Sequence, residues 1–348
     1  MALQLEHVPR YERTPLDREF FEERLRPRLP AAIFDVHVHI NLPEHVTRVT
    51  SERVRTDWAM QCGYVYTCED AHRLVADMFP GIAWSMAGFP WPVREGDLEA
   101  NNRYLAEMKR IGWLSPFMAV RPEWEPQEIE RRLVEDGFVG FKPYPDIVSG
   151  KKGADISIFD FIPRPQWALL EKHRKAVVLH LPRAERLASR ANVTELLDIR
   201  QSYPDVPIII AHLGRSFCPD YMQKGLAELG GHAAEFHYDL SGVMHADSLR
   251  LAFEAIPVGR IMYGTDLPIF HWHGETACTD AGYLHLSREN FDWVKEHRPA
   301  ETESRYVLFL YRQLAAILDA LAHRGASPAE IKGVLGANAR SVLGIERA

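Results

Sequence analysis

No apolar run in these 348 residues approaches the roughly 20 needed to cross a bilayer, which leaves no candidate for a membrane-spanning helix. The opening stretch, MALQLEHVPRYERTPLDREFFEERLRPRLP, is too heavily charged for a secretory leader, so a cytoplasmic location is expected. Cysteine is scarce. Cys62, Cys68, Cys218 and Cys278 form no CxxC and no framework spacing, so no zinc knuckle is expected, and all four are read as reduced thiols. A basic excess is missing too: 41 Lys and Arg face 48 Asp and Glu, a net charge of -7, which argues against a nucleic-acid footprint. There is no internal repeat, no low-complexity tract and no glycine-rich nucleotide loop after the first apolar run.

What the chain does have is apolar bulk and histidine. Apolar residues make up 46% of it, enough for a sizeable core, and sixteen residues are histidine. Eight short apolar runs recur along the sequence: AAIFDVHVHI, GIAWSMAGF, WLSPFMAV, GFVGFKPY, AVVLHL, VPIIIAHL, EFHYDL and RIMYGTDLP. Helix-like segments separate them. DLEANNRYLAEMKRIG opens on acids and stops at Gly112, and PQEIERRLVEDG stops at Gly137. Alternating strands and helices make a parallel sheet, and eight units close naturally into an α/β (β/α)8 TIM barrel.

Residues 31–348 are therefore assigned to the barrel and its C-terminal helices, and residues 1–30 to an N-terminal extension. In the C-terminal helices Ser327, Pro328 and Glu330 have the pattern of an N-cap, an N1 proline and a capping box. The extension carries Phe20, Phe21 and Leu25 at helical spacing, to pack either across the barrel or against a second copy in a homodimer.

Catalytic groups of such barrels stand at the C-terminal ends of the strands. In the first run, strict alternation puts Phe34, Val36, Val38 and Ile40 on one face and Asp35, His37 and His39 on the other. Lys142 lies near the end of the fourth run, His180 ends the fifth, His212 the sixth and Asp266 the eighth. Any one of these alone is more often a satisfied core or capping residue. Together they form a ring that only closure of the sheet would assemble. Imidazoles with one carboxylate suit a divalent cation, Zn²⁺ first and Mn²⁺ or Fe²⁺ after it, with an open position for water. His37, His39, His180 and Asp266 are the candidate ligands. His212 is the candidate proton shuttle, and Asp266 doubles as the base.

The motifs DVHVH, LHLP, AHLG and YGTDLP, in this order, resemble those of the amidohydrolase superfamily. The branch they most resemble is amidohydrolase family 2, which holds the aminocarboxymuconate-semialdehyde decarboxylase-like metal-dependent enzymes. The likeness runs from about residue 31 to the closing GANARSVLGI. It implies a distorted barrel, metal ligands at His37, His39, His180 and Asp266, and a water-activating His212. Members of the branch include hydrolases, non-oxidative decarboxylases and hydratases. Lys142 leaves two readings open. It is either a cationic contact to substrate beside one metal or, as in binuclear members of the superfamily, a carboxylated bridge between two.

Arg183 and Arg215 each follow a candidate site histidine by three residues, so both could grip an anionic group, and a small carboxylated substrate is expected. The opposing reading pairs them with loop acids such as Glu185 or Asp220. His271, in PIFHWHGE, is a further candidate substrate contact, and Phe89 and Trp91 supply aromatic walls. The leading expectation is hydrolysis of a lactone, ester or amide by metal-bound hydroxide. Its alternative is a lyase, the non-oxidative decarboxylation of an aromatic or unsaturated acid, and a barrel that only binds its ligand is a third. Neither a nucleic acid nor a membrane is an expected partner.

Overall fold

Each of the eight apolar runs becomes a strand in the computed structural model, which describes residues 5–345 apart from 6, 9, 152–154 and 281. β1 (Ala32–His39), β2 (Ala83–Phe89), β3 (Ser115–Ala119), β4 (Gly140–Lys142), β5 (Ala176–Leu179), β6 (Ile208–Ile210), β7 (His237–Asp239) and β8 (Ile261–Met262) pair in sequence order, every pair parallel. The ring then closes on itself. Val36 N–H donates to the Tyr263 carbonyl at 3.1 Å, Asp266 N–H to His37 at 2.8 Å and His39 N–H to Leu267 at 2.8 Å. This is the expected TIM barrel.

Two apolar layers account for its stability. One lies inside the ring, built from Phe34, Val36, Phe117, Val178, Ile209 and Met262 and stoppered by Ala339 and Leu343. The other faces the helices, with Met118, Phe141, Leu179 and Ile210 among its strand residues.

β1 departs from the expected alternation. Phe34 and Val36 belong to the inner layer, but Val38 and Ile40 belong to the outer one, and the pairing with β2 slips between Asp35 and Val38. A bulge of this kind adds one residue to a strand and re-aims the side chains beyond it. Here it separates Asp35 from the histidines. Asp35 turns to Thr265, which donates to it through both N–H (3.0 Å) and hydroxyl (2.6 Å), while His37 and His39 point inward.

The helices stop where their sequence says they should. Asp97 caps the helix Leu98–Arg110, and Gly112 and Gly137 turn the chain with φ of 79° and 68°. Ser327 and Glu330 form the expected capping box. In the N-terminal extension Phe21 packs edge-on to Phe79 and against Tyr311 of the helix Phe309–His323, so this segment lies on its own barrel. Asp17 fastens it further by accepting from Leu308 N–H at 2.8 Å and from His273 at 2.8 Å.

Two features differ from expectation. Beyond β8 the chain forms an antiparallel hairpin, β9 (Gly274–Thr279) with β10 (Gly282–Ser287). Cys278 on β9 is disulfide-bonded to Cys218, which follows β6, so only Cys62 and Cys68 are free thiols, and both are buried. The two bonded positions are 60 residues apart and meet only because the hairpin folds back over the loop after β6. Linear spacing carries no trace of that approach. No helix among the described residues is long and apolar enough to cross a membrane.

Candidate active site

The bulge in β1 delivers His37 and His39 to the C-terminal mouth of the ring, where the ends of the other strands bring their polar residues. Nε2 of His37 stands 3.3 Å from Asp266 Oδ1, and Nε2 of His39 stands 3.1 Å from the same oxygen. Nε2 of His212 lies 3.2 Å from Nε2 of His180 and 3.9 Å from Asp266 Oδ2. Ligand atoms of His37, His39 and Asp266 all fall within 4.8 Å of one another, and so do those of His37, His180 and His212. His37 is common to both groups. All five side chains are buried.

Residues behind this cluster fix how its nitrogens point. Nδ1 of His37 donates to Asp239 Oδ2 at 3.0 Å, which leaves Nε2 as the lone-pair nitrogen facing the cluster. The other oxygen of Asp239 accepts from His212 N–H (3.1 Å), Ser241 N–H (3.0 Å) and the Ser241 hydroxyl. Nδ1 of His212 donates to the Ser241 carbonyl at 2.9 Å. Phe89 and Trp91 pack on the outer rings: Phe89 is 4.9 Å from both His37 and His39, and Trp91 is 4.6 Å from His39.

Electrostatics leave three imidazoles neutral and both carboxylates ionised, while His37 goes the other way: burial and Lys142 would lower it, but Asp239 and Asp266 outweigh them and raise its pKa. Burial lowers His39 to about 4 and His212 to about 4, and burial together with the charge of Lys142 holds His180 well below its ordinary value. Burial would raise Asp266 and Asp239, but His37 and His212 outweigh it and keep both carboxyls below the usual range. Neutral imidazoles and an ionised carboxylate are the donor chemistry a borderline divalent cation takes. The donors gathered here fit such a cation.

Lys142 comes close to the same centre, with Nζ 3.4 Å from His37 Nε2 and 4.1 Å above the Phe89 ring. Burial drives its pKa down to about 7, against the pull of Asp239 and Asp266. A good part of Lys142 is thus uncharged near neutrality, unlike an ordinary surface lysine.

The backbone is strained where the site is built. Of eight non-glycine residues with positive φ among those described, six flank the mouth: Arg183, Arg186, His212, Leu213, Arg215 and Asp266. His212, Leu213, Gly214 and Arg215 are consecutive, with φ of 55°, 49°, 64° and 62°. Left-handed backbone costs an L-residue roughly 1–2 kcal/mol, so such a run persists only where its surroundings over-determine it. The bonds from His212 to Asp239 and Ser241 do that from one side. Leu187 closes the other, where a Cβ on Gly214 would come within 2.6 Å of it.

Beside His180 a cleft of about 430 Å³ opens between the loops after β4, β5 and β6. Both arginines singled out from the sequence line it, but they differ. Arg183 is held by Glu195 at 2.6 Å and by Asn192 at 2.6 Å, so its charge is spent on the fold, through an acid other than Glu185 or Asp220. Arg215 has no carboxylate partner among the described residues, and its Nε is buried without a hydrogen bond. His271 is buried with Nδ1 donating to the Pro268 carbonyl at 2.6 Å, and it does not line this cleft. His273 is locked between Asp17 and Glu289, and Trp272 packs on Phe270 and Phe309. Ser241, Arg94 and Arg186 were not legible as site residues, because no motif distinguishes them from other loop polar residues.

The amidohydrolase family matches residues 34–345. This chain belongs to amidohydrolase family 2. No curated protein matches it. Among solved structures, this amidohydrolase is similar to a dihydroxybenzoic acid decarboxylase from Polaromonas with bound manganese and the inhibitor 2-nitroresorcinol; identity is 17%, the TM-score 0.55, and the match covers 91% of this chain and 98% of that one. It is also similar to the 5-carboxyvanillate decarboxylase from Sphingomonas paucimobilis (14% identity, TM-score 0.51, 91% and 100% covered). A third is an amidohydrolase from Burkholderia multivorans with bound HEPES (13%, TM-score 0.57, 90% and 100%). Likeness at this level of identity establishes the barrel. The neighbours named for a reaction are decarboxylases of aromatic acids, and this overturns hydrolysis of a lactone, ester or amide as the leading expectation.

Proposed function

We propose that this amidohydrolase is a metal-dependent, non-oxidative decarboxylase of an aromatic or unsaturated carboxylic acid. The observation that carries the reading is a cation-lined cleft opening onto a buried cluster of four imidazoles and an ionised carboxylate. Named decarboxylases of dihydroxybenzoate and 5-carboxyvanillate on the same fold support it. His37, His39, His180 and Asp266 would hold the cation, with His212 at ligand distance from His37 and His180 as well. Manganese in three solved neighbours favours Mn²⁺ over the Zn²⁺ first expected. A divalent cation there supplies positive charge that stabilises the anionic oxygens of the substrate.

The remaining work falls to the chain's own groups. The Phe89 and Trp91 rings exclude water from the reacting end. Decarboxylation breaks the bond from ring or vinyl carbon to carboxylate, releases carbon dioxide and puts a proton on the same carbon. The proton comes from water: Asp266, ionised at rest, takes it through His212, 3.9 Å away, and passes it to that carbon, so that both groups end the cycle as they began it. Lys142, at its lowered pKa, adjusts the charge around His37.

The test is release of carbon dioxide from a panel of aromatic and unsaturated acids by the metal-loaded enzyme, with proton release from lactones followed in parallel. Carbon dioxide from at least one acid, lost in Asp266→Asn, is expected. Acid release from lactones with no carbon dioxide from any substrate would overturn the reading.

A further inference from the structure

The cleft beside His180 holds more positive charge than one carboxylate needs. Its ionic lining contains three pairs that neutralise themselves: Arg183 with Glu195 at 2.6 Å, Lys151 with Asp160 at 2.8 Å, and Asp146 with Arg53 at 3.1 Å. Three arginines are left over. Arg94 donates only to neutral carbonyls, to Val148 at 2.6 Å and Asp146 at 3.5 Å. Arg186 donates to the Leu181 carbonyl at 2.9 Å. Arg215 has no bond among the described residues, and its buried Nε is unsatisfied.

Glu185 lines a smaller adjoining cavity with Arg186 and Arg215 but forms no ion pair with either among the described residues. Arg186 and Arg215 instead repel each other: burial first and Arg215 second bring Arg186 down to about 10. Two of the three, Arg186 and Arg215, sit on backbone with φ of 52° and 62°, so strain is spent in holding like charges together. An arrangement this costly without an anion is repaid by one.

We infer that Arg94, Arg186 and Arg215 form a second anion subsite, and that the substrate carries an acidic group in addition to the carboxylate facing the metal site. The inference rests on the proposed reaction for the first carboxylate only. Tyr144, 4.6 Å from the His180 ring, lines the same cleft. At about 430 Å³ the cleft has room for a single-ring diacid.

The test is calorimetric binding to the metal-loaded full chain, with benzoate, isophthalate and 3-phosphonobenzoate as probes. Isophthalate or 3-phosphonobenzoate should bind at least about tenfold more tightly than benzoate, as a second charge-assisted contact provides. The order of the two diacids tells a carboxylate subsite from a phosphate one. Arg215→Met and Arg186→Met should each reduce that advantage to about threefold or less while leaving benzoate affinity near its wild-type value for Arg186→Met. Arg94 is exposed, so Arg94→Met folds in any event and should reduce the advantage too. Equal affinity for benzoate and both diacids in the wild type, or an advantage intact in all three variants, overturns the subsite. Binding needs no turnover: a diacid preference without carbon dioxide release refutes the reaction and keeps the subsite, and turnover of monoacids with no diacid preference does the reverse.

Discussion

Asp239→Asn tests whether the buried carboxylate behind His37 sets the metal site. In the wild type Asp239 Oδ2 accepts from His37 Nδ1 at 3.0 Å, while Oδ1 accepts from two backbone N–H groups and the Ser241 hydroxyl. An asparagine keeps its oxygen toward those three donors, because leaving two buried N–H groups unpaired costs about 1–3 kcal/mol each. Its NH2 then faces His37 Nδ1 and donates to it. The imidazole proton moves to Nε2, the nitrogen that stands 3.3 Å from Asp266 Oδ1. Loss of such a supporting carboxylate costs about 10–100-fold in metal affinity, or about 1.4–2.8 kcal/mol. Competition against a chelator of known affinity, with Mn²⁺ or Zn²⁺, reads this directly without a substrate. Affinity within twofold of wild type, in a variant with an unchanged circular dichroism spectrum, would refute the reasoning.

Asp17→Asn should cost about 1–3 kcal/mol in chemical denaturation, because Asp17 accepts from Leu308 and Thr14 as well as His273. Burial lowers His273, but its bonds to Asp17 and Glu289 more than restore it and raise its pKa, so the stability it lends is complete below about pH 6.5 and lost as pH rises through the raised value. The wild-type advantage over Asp17→Asn should therefore be larger at pH 5.5 than at pH 9, and an advantage that grows with pH contradicts the assignment. The double variant Cys218→Ala with Cys278→Ala should lose about 2–4 kcal/mol in the same assay, given the 60-residue separation of the bonded positions, and a reductant should destabilise the wild type but not the variant. Gly264→Ala puts a Cβ 2.9 Å from His37 Cβ and 3.3 Å from Ser241 Cβ, so it should lower metal affinity several-fold and stability by about 1–3 kcal/mol. Unchanged chelator competition would show that His37 has more slack than the packing indicates.

The barrel was legible because buried parallel strands are short continuous apolar runs, a signal that survives without any tertiary information. His37, His39, His180, His212 and Asp266 were legible for a related reason: each terminates such a run, and strand ends share one rim. The same logic failed within β1, where alternation predicts that Asp35 faces with His37. A bulge depends on what the neighbouring strand and Thr265 will accept, and no local pattern encodes that. It failed again at Cys218 and Cys278, whose meeting depends on the hairpin of β9 and β10 folding over the loop after β6. Arg183 and Arg215 occupy equivalent places after their histidines, yet Glu195 claims one and nothing among the described residues claims the other. Only the folded helix carrying Glu195 separates the two.

His212, which faces the metal cluster, and Arg215, which faces the cleft, ride on the same four left-handed residues. A substitution that let this segment relax would swing both side chains at once, one away from His180 and one out of the cleft. Mutational drift therefore has no route through this segment that retunes what the barrel recognises while sparing what it does, and new specificities in its descendants should arise instead on the loop that bears Arg94.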